Sequence, residues 1–199
     1  MSFALETAPV ELELTYPPRF DRLPTPLPLP FPLKPVSSAD TGVERMEDGR
    51  TRFWIRHDIV RGVTPRMLDW WFRNLEGTIG FGGRRYNRYR FWHPRDHVHA
   101  SYHRRLPDGS IGAGASIRLI EVFGRNPKFL VDTITHIERL DVGGYIHNPE
   151  LHGRTGLARM EYTFERVEGG TLYENCLIIG SDAFWYPLVR PLVSAFAFT

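Results

Sequence analysis

One cysteine, Cys176, is all the thiol chemistry that this 199-residue chain carries. A single thiol excludes an intrachain disulfide framework and any cysteine-based zinc site, and it suits a reducing compartment. Long apolar runs are missing as well. No uninterrupted stretch approaches the roughly 20 residues that span a bilayer, and the N-terminus has no basic segment followed by an apolar run. The expectation is a cytoplasmic protein that does not engage membranes. An excess of one charge is also absent: Lys and Arg number 25 against 23 Asp and Glu, a net +2. Such near-balance gives no polycationic surface and implies no nucleic-acid partner.

Apolar and aromatic residues, in contrast, are plentiful. At 42% hydrophobic and 13% aromatic, the chain can bury one substantial core, so a single domain with an appended segment is expected. The appended segment declares itself by proline. Eight of the 16 prolines lie between Pro17 and Pro35, a run that can form neither helix nor central strand. The alternation of Leu27, Leu29, Phe31 and Leu33 points to an extended arm packed along the domain, in preference to a free polyproline ligand. Residues 1–40 are read as this arm and residues 41–199 as the domain.

Along the domain, Thr51 to Val60 alternates as a strand. The clearest helix follows: Thr64 can cap it, Pro65 suits its first position, and Met67, Leu68, Trp71, Phe72 and Leu75 make one apolar stripe, with Gly77 as the stop. Ile117 to Phe123 reads as a strand that carries Glu121 among apolar neighbours, and Phe129 to Leu140 as a second strand or pair. Residues 143–156 read as a loop holding His147 and His152. Ala158 to Val167 and Thr171 to Gly180, joined by Glu168-Gly169-Gly170, make the most convincing hairpin.

Chemistry concentrates between Tyr86 and His103, where four of the eight histidines lie. The pattern predicts a strand over 86–93, with Tyr89, Phe91 and His93 facing one way and Arg88, Arg90 and Trp92 the other. A bend at Pro94 to Asp96 follows, then a second strand on which His97, His99 and His103 share one face. His93 and His97, with Asp96 beside them as a hydrogen-bonding partner for an imidazole, outline metal-ligand chemistry. The alternative is a set of structural histidines, and the residues alone leave it open.

Several segments together resemble the 2,4-diacetylphloroglucinol hydrolase family, whose relatives include phloretin hydrolase. They are the arm from Arg19 to Pro35, Gly62 to Phe72, Tyr89 to His97, Glu121 within Ile120 to Gly124, and Tyr162 to Thr171. The resemblance implies an α+β, Bet v 1-like helix-grip fold, in which a curved antiparallel sheet wraps a long C-terminal helix around a cavity. It also implies zinc-dependent hydrolysis of the carbon–carbon bond between a phenolic ring and an acyl group, with a small aromatic ketone as substrate. The first zinc-binding histidine of the family falls at His93, with His97 as the competing assignment, and its glutamate falls at Glu121. Tyr86 and Asp96 lie near the positions of its substrate-contacting tyrosine and polar residue.

The family's late ligand pair, a His-x-x-x-Glu on the C-terminal helix, has no counterpart, because no His or Glu follows Glu174. His136, His147 and His152 are the remaining candidates, and nothing in their spacing argues for them. Residues 182–199 read as a helix only begun, which leaves part of the sheet to be covered by a homodimer partner or by the Pro-rich arm. A non-catalytic protein that binds an aromatic or hydrophobic small molecule in its cavity is the alternative function.

Overall fold

The computed structural model describes residues 23–29, 31–32, 34–151 and 153–180. Within them the strands are β1 (Ala39–Arg45), β2 (Thr51–His57), β3 (Val60–Arg61), β4 (Thr78–Phe81), β5 (Arg84–Asn87), β6 (His97–Arg104), β7 (Ser116–Val122), β8 (Leu130–Asp141), β9 (Gly144–Pro149), β10 (Ala158–Val167) and β11 (Gly170–Ile179). Helix α1 spans Pro65–Arg73 and α2 spans Arg88–Trp92. Among the described residues the main sheet runs β1-β2-β11-β10-β9-β8-β7-β6 with β3 beside β11, and all its pairings are antiparallel. This is an α+β architecture dominated by an antiparallel sheet. The C-terminal helix that a helix-grip fold requires falls at 182–199, outside the described residues, as do the first part of the arm and His152. No helix among the described residues is long and apolar enough to cross a membrane.

Helix α1 forms where its sequence says it should. The Thr64 hydroxyl accepts the Met67 N–H at 3.3 Å and Pro65 occupies the first turn, so two of the free donors at the helix start cost nothing. Its apolar face buries Leu68 and Phe72 against β8, β9 and β10. Arg73 then locks the far end: its guanidinium donates to Asp69 at 2.8 Å and to the carbonyls of Ile111 and Leu140 at 2.6 and 2.5 Å. Phe72 is the hub of the interior. Its ring lies 5.1 Å from Tyr145, 5.4 Å from Tyr162, 5.5 Å from Trp92 and 5.7 Å from Phe164.

The arm lies on the domain as a chain without regular structure from Leu23 to Leu29. Phe31 packs edge-on against Phe81 and Phe91, with ring centres 5.7 and 5.8 Å away.

Three expectations need correction. The strand expected over 86–93 ends at Asn87, whose side chain accepts the Arg90 N–H at 3.1 Å and starts α2. Tyr89 and Arg90 are consequently both buried, where strand alternation would have sent Arg90 to solvent. The loop expected at 143–156 contains β9, which pairs with both β8 and β10. Its entry turn is so close to β10 that a Cβ on Gly144 would stand 2.1 Å from the Tyr162 carbonyl oxygen. Finally, His97 and His99 do not share a face. His97 is opposite Glu121 and His99 opposite Ile120, neighbours whose side chains point to opposite sides of β7, so the extra residue Val98 is a bulge that turns the strand over.

Candidate functional site

The site begins where α2 stops. Pro94 cannot continue the helix, and Pro94 to Asp96 form a turn closed by the His97 N–H on the His93 carbonyl at 3.0 Å. Asp96 ties this turn to the exit of β7: its carbonyl accepts the Val122 N–H at 2.8 Å and its Oδ2 accepts the Gly124 N–H at 3.2 Å. Its Oδ1 is buried with no hydrogen-bond partner among the described residues. The tie brings the start of β6 alongside the end of β7, which sets His97 directly across from Glu121.

Four groups meet there. The His97 Nδ1 lies 2.8 Å from the Tyr89 carbonyl oxygen, which can only accept, so the ring proton sits on Nδ1 and the Nε2 lone pair is free. Glu121 Oε1 lies 3.6 Å from that Nε2. The Tyr89 hydroxyl donates to the same Oε1, and the Tyr89 ring stacks on the imidazole with centres 3.9 Å apart. The His93 ring stands 5.3 Å from that of His97. Side-chain exposures are 16% for His97 and 20% for Glu121, so neither group is completely sealed.

Burial governs the charges. It holds His97 neutral, its pKa pushed down to about 3, and raises the Glu121 carboxyl despite the hydrogen bond from Tyr89. A neutral imidazole nitrogen and a carboxyl oxygen facing each other call for a proton or a cation between them, and the raised pKa of Glu121 favours the proton. An imidazole nitrogen and a carboxyl oxygen are also donor types that zinc accepts, and the Tyr89 carbonyl fixes which ring nitrogen of His97 is left to face Glu121. No third His, Cys, Asp or Glu completes a cluster among the described residues. His136 is bound to Glu150 at 2.8 Å on the opposite face of the sheet, and the Nδ1 of His147 is 2.5 Å from the Thr135 hydroxyl.

Of the residues singled out in the sequence, His93, His97, Glu121 and Asp96 are brought into one neighbourhood. Tyr86 is buried elsewhere, against Phe91 in the cluster of Phe31 and Phe81. Tyr89, three residues further on, is the tyrosine that reaches Glu121. The resemblance pointed to Tyr86 instead, and the expected strand gave no sign of the helical turn that aims Tyr89 at β7. Behind the four groups stands a wall of rings: Phe72, Trp92, Tyr145, Tyr162 and Tyr173. The Tyr145 hydroxyl in this wall is buried and has no hydrogen-bond partner among the described residues.

His147 stacks against both Tyr145 and Tyr162, and burial pushes its pKa down to about 3. Below pH 6.5 the unfolded chain takes up protons on His97 and His147 that the folded chain refuses until about pH 3. Stability is thus fully present above pH 6.5 and falls as pH drops through that window. Glu121 acts with the opposite sign, since its raised carboxyl favours the fold when protonated and costs stability as pH rises through the folded value. Each imidazole removes about 2 kcal/mol by pH 5. Urea melts of His147→Gln should accordingly lose about 2 kcal/mol less than the wild type between pH 7 and pH 5; equal losses would show that His147 takes up its proton in the folded chain.

The geometry of Tyr89, His97 and Glu121 lies wholly inside the segment that comparison with known proteins picks out. Residues 33–131 match the DAPG hydrolase PhiG domain. The PhiG-domain match begins in the arm, contains α1 and α2, and ends ten residues after Glu121, ahead of the strands that supply Tyr145, His147, Tyr162 and Tyr173. No curated protein matches the chain. Among solved structures, it is similar to a structural-genomics crystal structure of a protein from Rhodobacter sphaeroides, at 14% identity over 80% of this chain and 88% of that one, with a TM-score of 0.36.

Proposed function

We propose that the chain is a hydrolase of the DAPG hydrolase family that cleaves the carbon–carbon bond between an acyl group and a phenolic ring in acylphloroglucinol-like ketones. The observation that carries this reading is the His97 Nε2 and Glu121 Oε1 pair, 3.6 Å apart and braced by Tyr89, inside the PhiG-domain match. Water adds across the broken bond: the acyl carbon gains the hydroxyl and leaves as a carboxylic acid, while the ring carbon keeps the electron pair and is protonated. His97 and Glu121 would hold a zinc ion. When bound, zinc supplies Lewis-acid polarisation of the ketone and a water of lowered pKa.

The chain's own groups do the rest. The Tyr89 carbonyl holds the His97 proton on Nδ1, and the Tyr89 hydroxyl fixes Oε1 of Glu121; in this reading Tyr89 takes the hydrogen-bonding role to which the sequence pointed at Tyr86. The ring wall around Phe72 orients a flat phenol and excludes water from the bond to be cut.

The test incubates the protein with 2,4-diacetylphloroglucinol and follows acetate release before and after chelation. Release that stops on chelation and returns with Zn²⁺ supports the reading. A second reading, a non-catalytic binder of an aromatic small molecule, rests on the ring wall, which would hold a phenol without any chemistry. Binding that survives chelation, with no acetate formed, would establish the binder and sink the hydrolase.

A further inference from the structure

We propose that the Pro-rich arm is a positioning strap: residues 23–27 lace together the two segments that carry Tyr89, His97 and Glu121. The inference rests on the reading that these three residues form the reacting site, but its structural content can be tested without that reading.

Four contacts carry it. The Thr25 carbonyl accepts a hydrogen bond at 2.6 Å from Arg90, a guanidinium only 9% exposed and the chain neighbour of Tyr89. The Leu27 N–H donates to the Pro94 carbonyl at 3.1 Å, in the turn between His93 and His97. The Pro24 carbonyl accepts at 2.5 Å from Arg125, which lies just past the end of β7 and also donates to the Arg95 carbonyl at 3.1 Å. Leu23 packs on Val98, Ile120 and Val122. Ile120 and Val122 flank Glu121 and point to the other side of the sheet, so the arm supports the site strands from behind while Glu121 faces the interior.

A proline-rich chain is suited to this task. Its backbone has no internal hydrogen bonds, so its carbonyls are free to accept, and its extended shape is already set before docking. Arg125 adds an independent sign of the demand. It sits at φ 64°, the one non-glycine residue with positive φ among the described residues, a conformation glycine would adopt without strain. An arginine held there is explained by what its side chain does: it joins Pro24 of the arm to Arg95 of the site turn. Arg90 and Arg125 are thus positioning residues, acting through Tyr89, His97 and Glu121. A misplacement of about 1 Å in such a site is enough to cost on the order of 10²-fold in rate.

The experiment uses the full chain with four point variants. Leu27→Pro removes the N–H that reaches Pro94 and keeps an extended backbone; Leu27→Ala removes the side chain and keeps the N–H. Arg125→Gly removes the strap contact while relieving the backbone, so any loss of order cannot come from strain. Arg90→Lys keeps a donor for Thr25. Leu27→Pro and Arg125→Gly are expected to raise amide exchange about tenfold in residues 88–98 and 119–126 and to leave β10 and β11 unchanged. They should also lower kcat with KM unchanged, whereas Leu27→Ala and Arg90→Lys stay near wild type. Exchange that is unchanged in those segments, or that rises evenly across the sheet, overturns the strap. If exchange rises locally but the wild type releases no acid from acylphloroglucinols, the hydrolase reading falls and the strap stands.

Discussion

Glu121→Gln should abolish most acid release from an acylphloroglucinol, by roughly 10²–10³-fold or more, without weakening the fold. The two effects separate because the carboxyl is costly where it sits. Burial raises its pKa, so a neutral amide of nearly the same shape relieves a desolvation penalty and still offers an oxygen to the Tyr89 hydroxyl. Stability at pH 7 should be unchanged or higher by about 1 kcal/mol. Acetate release and a urea melt on the same preparation decide the matter. A variant that keeps its turnover would remove Glu121 from the chemistry, and one that unfolds would make Glu121 a structural residue.

The largest loss of stability is expected at Phe72. Its ring is 5% exposed and touches Trp92, Tyr145, Tyr162 and Phe164 within 5.7 Å between centres. Phe72→Ala deletes the contact that joins α1 to the sheet and leaves a cavity among rings that cannot collapse into it. The expected cost is about 3–5 kcal/mol, a large share of the roughly 5–15 kcal/mol that holds a domain folded. Phe72→Leu should lose distinctly less. Urea midpoints measure both, and a cost for Phe72→Ala under about 1 kcal/mol would mean that the helix is anchored by Arg73 and not by the ring cluster.

What the sequence made legible follows the strength of its local signals. Helix α1 was readable because Thr64 and Pro65 mark its start and the stripe through Leu68 and Phe72 repeats for two turns. The hairpin of β10 and β11 was readable because ten residues alternate on each side of a glycine turn. Helix α2 was hidden by its length: five residues carry too little period to compete with strand alternation, and the cap at Asn87 looks like any polar residue. Strand β9 was hidden by the glycines at its entry, which suggest a loop although they mark a tight approach to β10.

The different placements of His93 and His97 show where local reading stops. Both sit beside the same proline turn, and only the pairing of β6 with β7, with its bulge at Val98, puts His97 opposite Glu121. A bulge leaves no mark in a single sequence, since any residue can occupy it. Glu121, in contrast, was conspicuous as a carboxylate in an apolar strand, a placement that costs energy and so asks for a reason.

The strand order has a consequence for how the molecule is made. From β6 to β11 every neighbour in the sheet is also the next strand in the chain, so each pairing closes a short loop. Joining β2 to β11 instead spans more than a hundred residues, as in the pairing of Phe53 with Leu177. Long-range closures of this kind are the slow steps of folding. As the chain leaves the ribosome, β6 to β9 can pair and set His97 against Glu121 while the β1–β2 hairpin still waits, one edge open, for β11. An unpaired strand edge of that kind is prone to pair with another chain until β11 covers it.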